Sequence, residues 1–178
     1  MKTKLLTLLL FSNTILMAQD KQHSSIAQYV QYTVWANDQL IQWLEACDDD
    51  AWTKEVSSSF SSIAATSRHL WNAEFGWLTT LKKKPWDNVP DGLNKSDILS
   101  GWRQTSQDFA TYALSLLEEE HKGIRILGDD EVSIEDILLH VCNHATYHRG
   151  QLIALGRQQG LNKPPRTDYI YYIRSIVN

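Results

Sequence analysis

Cysteine, proline and glycine are scarce in this chain of 178 residues, which contains two, four and eight of them respectively. So few prolines and glycines exclude collagen-like and low-complexity proteins. Two cysteines cannot form the disulfide framework of a small secreted scaffold, and neither lies in a CxxC motif. An excess of basic charge is also missing, since 17 Lys and Arg residues face 21 Asp and Glu residues. The composition therefore gives no indication of an electrostatic nucleic-acid-binding surface.

Apolar residues are abundant instead. Hydrophobic residues make up 43% of the chain, which includes seven Trp and seven Tyr. That content supplies a sizeable buried core, and a chain of this length fits one domain. We therefore expect a globular protein rather than a long disordered chain.

The N-terminus has the pattern of a secretory signal peptide. Two lysines precede an apolar run over residues 5–17, which Ser12–Thr14 interrupts and the small residue Ala18 follows. The run is shorter than the ~20 residues that a membrane-spanning helix needs. We predict a signal peptide over residues 1–18 and a single domain over residues 19–178, exported to the periplasm or the cell exterior. An uncleaved N-terminal anchor or an amphipathic tail is the alternative interpretation.

Export affects the interpretation of the two cysteines, Cys47 and Cys142. They can form a disulfide in an oxidising compartment, whereas two small buried thiols explain them equally well. The sequence alone does not choose between these states, and it assigns neither cysteine a chemical role.

The rest of the chain predicts four amphipathic helices. Apolar residues recur every three or four positions, as on one face of a helix. Serines that suit N-caps precede the second and fourth helices, and all four prolines fall outside the helical patterns. The predicted helices cover about residues 25–46, 57–81, 96–120 and 133–159. Helices of this length pack most simply as an all-α four-helix bundle, with a short irregular or hairpin segment between the third and fourth.

Three histidines in the fourth predicted helix, His140, His144 and His148, are spaced four residues apart. Residues at this spacing share a helix face. With about 100° of rotation per residue, His144 and His148 fall on the apolar side that faces the bundle interior, and His140 falls at its rim. A bound cation satisfies buried imidazoles well, because neutral imidazole is a common metal ligand.

A third ligand is expected from another helix, and His69 in the second predicted helix is the best candidate. Small residues on its flank let a neighbouring helix approach closely: Ala65, Ala73 and Gly76. Two alternatives stay open at this point. His69 can be an ordinary core or surface histidine, and His140 can replace His148 as a ligand.

One stretch of the fourth helix, His-Val-Cys-Asn-His-Ala-Thr-Tyr-His-Arg-Gly-Gln over residues 140–151, resembles the signature of the DinB/YfiT-like superfamily. This is the damage-inducible helical-bundle family of predicted metalloenzymes and not the similarly named DNA polymerase. Tyr32–Asn37 resembles the family's first-helix motif. Ser62 and Ile63, leading to His69, resemble the second. The ending over residues 160–169 is also similar.

The resemblance implies a four-helix bundle, usually dimeric, with a divalent metal held by three histidines. Carried over by position, the ligands are His69, His144 and His148, and the metals of the family include zinc and nickel. Characterised relatives are often thiol-dependent transferases or isomerases, and many members have no known activity. Most relatives are intracellular, so the predicted export signal weakens the thiol-transferase interpretation for this chain.

Three histidine ligands leave a tetrahedral metal one open position, as in catalytic zinc sites. We therefore expect an exported, metal-dependent hydrolase or transferase for a small molecule; the alternative is a noncatalytic metal-binding or dimeric interaction bundle. We expect a homodimer with no nucleic-acid partner and no integral membrane segment in the mature chain. No catalytic residue is assigned, because Glu74, an acid on an apolar stripe, is expected to form a salt bridge with Arg149 or Arg103.

Overall fold

A computed structural model describes residues 25–116 and 118–177 of this protein. The predicted signal peptide lies outside these residues. The described chain forms seven helices and one hairpin: α1 Ser25–Glu45, α2 Asp49–Thr53, α3 Ile63–Leu81, α4 Lys95–Ser115, α5 Glu118–His121, β1 Ile124–Leu127, β2 Asp130–Ser133, α6 Ile134–Gln158 and α7 Tyr169–Val177. None of the described helices is both long enough and apolar enough to span a membrane.

Four long helices, α1, α3, α4 and α6, form a bundle around an apolar core. Helix α1 packs against α4 and α6, and α3 packs against the same two helices. Helices α3 and α6 are therefore neighbours along much of their length. The prediction of an all-α four-helix bundle is confirmed, and this packing lets side chains of the second and fourth predicted helices meet.

Side-chain caps fix where the long helices begin. Ser62 Oγ accepts a hydrogen bond from the Ala65 N–H at the start of α3. Ser133 Oγ accepts one from the Asp136 N–H at the start of α6. Each cap satisfies one of the free N–H groups that every helix leaves at its N-terminus. Both predicted starts in the serine-containing segments are confirmed.

Other local predictions differ from the structure. The acidic run after α1 lies outside the predicted helices but begins α2: the Asp48 side chain accepts a hydrogen bond from the Ala51 N–H, and Trp52 is buried. The third long helix ends at Ser115 rather than near residue 120, and the short α5 follows. The C-terminal α7 was not predicted. It packs on α1 through an aromatic cluster that includes Tyr32 and Tyr172.

The predicted segment between the third and fourth long helices is a two-stranded antiparallel hairpin. Strands β1 and β2 pair from Ile124 opposite Ser133 to Leu127 opposite Asp130. Gly128 occupies the connecting turn with a φ of 64°, a backbone conformation that glycine adopts without steric cost. The hairpin lies beside the C-terminal end of α3, because Arg125 donates two hydrogen bonds to the Leu81 carbonyl oxygen.

A polar network crosses the centre of the bundle around Glu74. Its Oε2 atom accepts hydrogen bonds from Ser106 Oγ at 2.9 Å, Trp102 Nε1 at 3.1 Å and Asn37 Nδ2 at 3.5 Å. Because Glu74 is buried, desolvation raises its pKa to about 7. The hydrogen bonds from Ser106 and Trp102 and the charge of Arg149 oppose that rise.

The predicted salt bridge of Glu74 is wrong. Buried Arg149 donates instead to Asn37 Oδ1 at 2.8 Å and to Thr146 Oγ1 at 2.7 Å. Arg103 pairs with Asp38 and Glu45 near the surface. Asn37 therefore lies between the Glu74 carboxylate and the Arg149 guanidinium and bonds to both. The two cysteines, Cys47 and Cys142, are buried free thiols.

Candidate metal centre

Three imidazole rings meet where α3 faces α6. His69 Nε2 lies 3.2 Å from His144 Nε2, and His148 Nε2 lies 3.1 Å from the same atom. One ring nitrogen from each of the three residues lies within 4.8 Å of the other two. The i, i+4 spacing along α6 and the adjacency of α3 together produce this cluster.

The side chain of Gln151 determines the tautomer of His148. The His148 Nδ1 atom lies 2.7 Å from Gln151 Oε1. Because an amide oxygen only accepts hydrogen bonds, His148 carries its proton on Nδ1 and donates it to Gln151. The Nε2 atom then has a free lone pair toward the other rings. Metal-ligating histidines are commonly oriented by such a bond from their second nitrogen.

The three imidazoles are better satisfied by a bound metal cation than by hydrogen bonds to one another. A neutral imidazole has one N–H, so His144 cannot donate well to His69 and to His148 at once. A cation among the three Nε2 atoms would satisfy every lone pair. Three neutral nitrogen donors are a set that suits zinc, nickel and similar transition metals.

Electrostatics keep the three rings neutral. Burial, together with the smaller effect of the charges that His148, His69 and His140 would carry, lowers the pKa of His144 to about 4. Burial also lowers the pKa of His69, with a smaller effect from His148. For His148, burial lowers the pKa while the hydrogen bond to Gln151 opposes the change. Neutral imidazole is the state that binds metals.

Aromatic side chains surround the cluster on its outer side. The Phe60 ring stacks on His69 with a centroid separation of 4.1 Å, and its edge meets His148 at 5.5 Å. The Tyr147 ring contacts His148 at 5.0 Å and is 63% exposed. His148 is buried, whereas His69 and His144 are half-buried. The cluster therefore lies at the edge of the bundle interior, with one side close to solvent.

His140 lies outside the cluster. It is exposed, and its ring packs between His144 at 5.8 Å and Trp77 at 5.0 Å. The structure thus brings together His69, His144 and His148 and leaves His140 at the rim. Their role as ligands stays a prediction.

Sequence reasoning missed two residues of this site. Gln151 follows His148 by three positions, so helical spacing alone could have identified it as a partner. Phe60 lies in the serine-rich segment before α3, where no helical periodicity indicates its position. Asn72 of α3 has a structural role: it holds the 86–89 loop by bonding to Asn88 and to the Val89 N–H.

Comparisons with known proteins agree with this architecture. A model of the family described as the DinB family matches residues 17–176. Protein DinB of Bacillus subtilis (strain 168) is 29% identical over 159 residues, which cover 80% of this chain and 90% of that protein.

Two solved structures share the fold. A DinB-like protein from Bacillus cereus ATCC 10987 superposes with a TM-score of 0.64 at 19% identity, covering 78% of this chain and 94% of the other. A DinB-like protein from Bacillus subtilis gives a TM-score of 0.67 at 15% identity, covering 79% and 98%.

Proposed function

This chain belongs to the DinB family, and from that premise we propose that it binds a divalent transition metal, zinc or nickel, through His69, His144 and His148. We further propose that the protein is a metal-dependent hydrolase or transferase that acts on a small molecule. It also includes export, based on the predicted signal peptide, and a homodimer, based on the family resemblance.

The convergence of three Nε2 atoms from two helices supports the metal site. Their separations of 3.1 and 3.2 Å bring lone pairs together that no arrangement of protons on neutral rings satisfies fully. Natural proteins rarely leave buried polar atoms without partners. A cation is the simplest partner for all three.

Neighbouring side chains hold the ligand rings in the orientation that a bound ion needs. Gln151 fixes the ring orientation of His148, and Phe60 fixes that of His69 by stacking. When bound by only three protein ligands, a divalent metal supplies Lewis acidity and an open coordination position. The half-buried rings of His69 and His144 place that side of the cluster near solvent, where a small substrate can approach.

The ligands themselves favour an electrophilic site. All three are neutral, and the charges that shift their pKa values belong mainly to the histidines themselves. A site of this composition leaves the full charge of the cation uncompensated, which favours polarised carbonyl or anionic groups of a substrate. This supports hydrolase or transferase chemistry.

A noncatalytic metal-binding bundle is the second candidate. The observation that favours it is the position of the cluster, since its ligands come from α3 and α6 and a bound ion would join the two helices. Ions in such positions contribute to folding free energy. The two candidates share the metal site and differ only in whether a substrate uses the open position.

Elemental analysis of the purified protein tests the shared claim. We expect one equivalent of metal per chain in the wild type and loss of most of it in His69→Ala, His144→Ala and His148→Ala. His140→Ala is the matched control, because it removes a histidine from the same helix that contributes no nitrogen to the cluster, and it should retain the metal. Equal loss in all four variants would contradict the choice of ligands.

A further inference from the structure

A second candidate site lies away from the histidines, beside the hairpin. It is a groove of about 570 Å³ between the C-terminal end of α3 and strand β1. One wall consists of Thr80 and residues 83–86, and the other consists of residues 124–128. The volume is within the range of small-molecule sites in proteins.

The groove is lined by positive charge. Lys83, Lys84 and Arg125 line it, and none of its lining residues is acidic. Arg125 is fixed by its two hydrogen bonds to the Leu81 carbonyl oxygen, at 2.7 and 3.1 Å. Lys83 and Lys84 are exposed, and neither forms an ion pair with another residue of the described ranges. Two unpaired ammonium groups therefore remain for an anionic ligand, in a chain of net charge −4.

The remaining walls of the groove are apolar and exposed. Trp86 is 47% exposed, Ile124 is 47% exposed and Ile126 is 65% exposed. The Trp86 ring lies so close to α3 that a Cβ atom at Gly76 would be 2.2 Å from it, and Trp77 meets its face edge-on at 5.6 Å. Exposed apolar side chains that are grouped in this way commonly mark a binding site.

We propose that this groove binds a small amphipathic carboxylate, of the class that fatty acids represent. Its apolar chain lies along Trp86, Ile124 and Ile126, and its carboxylate accepts hydrogen bonds from Lys83 and Lys84. This ligand matches both features of the groove, since a neutral apolar molecule leaves the lysines unused and a small inorganic anion leaves the apolar walls exposed.

A peptide that adds a strand to β1 fits less well. The Ile134 N–H donates to the Gly123 carbonyl oxygen, and hydrogen-bonded pairs alternate along the hairpin, so the backbone groups of Ile124 and Ile126 point outward. The Arg125 side chain already donates to the Ile124 carbonyl oxygen at 3.0 Å. An added strand would have to share this carbonyl oxygen with the Arg125 guanidinium, whereas a fatty acid needs no backbone partner. The groove also has walls on two sides, which suit one chain better than a flat membrane surface.

Calorimetric titration with laurate below its aggregation concentration tests the proposal on the full chain. We expect one laurate per chain, with no binding of acetate, which lacks the tail, and weaker binding of dodecyl maltoside, which lacks the charge. Lys83→Gln combined with Lys84→Gln should weaken laurate binding roughly tenfold. Higher salt should weaken it as well.

Matched variants separate the groove from the general surface. Lys82→Gln removes the adjacent lysine, which packs over the Tyr112 ring at 5.9 Å instead of lining the groove, and it should bind laurate like the wild type. Ile126→Glu should weaken binding, whereas Ile170→Glu, which changes an exposed residue of α7, should not. Circular dichroism checks that each variant folds.

Three results would overturn the proposal. The first is the absence of laurate binding to the wild type. The second is equal weakening by Lys82→Gln and by the paired substitution. The third is binding to vesicles of phosphatidylcholine and phosphatidylglycerol without binding of monomeric laurate, which would assign the surface to a membrane. These results are independent of the metal site, because the groove shares no residue with the histidine cluster.

Discussion

Replacing Glu74 with glutamine should change the pH dependence of stability by removing one buried carboxyl group with a raised pKa. Burial raises the pKa of this carboxyl group from its ordinary 4.5 to about 7. The folded protein therefore holds the proton more tightly than the unfolded chain, so this group causes stability to fall as the pH rises from about 4.5 through 7. One pKa unit corresponds to about 1.4 kcal/mol, so the ionised carboxylate costs the folded state about 3 kcal/mol.

Glu74→Gln also changes hydrogen bonding. That effect is the same at every pH, so measuring stability at two pH values separates it from the effect of the carboxylate charge. Glu74 Oε2 accepts from three donors, while its Oε1 has no partner among the described residues. An amide nitrogen at the Oε1 position would lack an acceptor, which costs about 1–3 kcal/mol at every pH. Ionisation of Glu74 destabilises only the wild type. Between pH 5 and pH 8, the unfolding free energy of Glu74→Gln should therefore rise by about 2 kcal/mol relative to that of the wild type.

Urea unfolding at pH 5 and pH 8, with a chelator present to remove any effect of metal, measures this shift. Glu131→Gln is the control, because Glu131 is an exposed carboxylate on β2, and it should leave the pH dependence unchanged. If the stabilities of Glu74→Gln and the wild type changed in parallel over this range, a raised pKa of buried Glu74 would be refuted.

Three further substitutions test the site and the packing. Gln151→Ala removes the acceptor for His148 Nδ1, so metal affinity should fall roughly 10–100-fold in a chelator competition titration; an unchanged affinity would show that this hydrogen bond does not orient the ligand. Gly156→Ala should destabilise the protein by about 1–3 kcal/mol, because its Cβ would lie 2.3 Å from the Trp43 ring. Gly150→Ala in the same helix has no atom within 4 Å of its Cβ and should stabilise the protein by up to about 1 kcal/mol; equal effects of both alanines in thermal unfolding would contradict this packing.

The long helices of this fold could be predicted from the sequence because each repeats its apolar pattern over five turns or more. The short α2 contains only five residues, Asp49–Thr53, too few for a periodic signal. It forms because Asp48 caps it and Trp52 is buried. Helix α7 lies near the C-terminus and docks its aromatic residues on α1. This contact joins segments that are far apart in the sequence, so the local sequence pattern does not indicate it.

The candidate site was predicted in part for the same reason. Helical spacing places His144 and His148 on one face, and the bundle brings α3 close enough for His69 to join them. The salt bridge expected for Glu74 was wrong because a helical pattern gives the face of a residue and not the partner that reaches it. Asn37, from α1, bonds to both Glu74 and Arg149, and no spacing rule indicated that connection.

X-ray absorption spectroscopy at the metal edge, on protein purified with its metal, tests the central claim most directly. We expect the scattering pattern of three imidazole rings around one ion, and the loss of one ring in His69→Ala. A wild-type spectrum without imidazole scattering, or a spectrum that His69→Ala leaves unchanged, would contradict a metal centre formed jointly by α3 and α6.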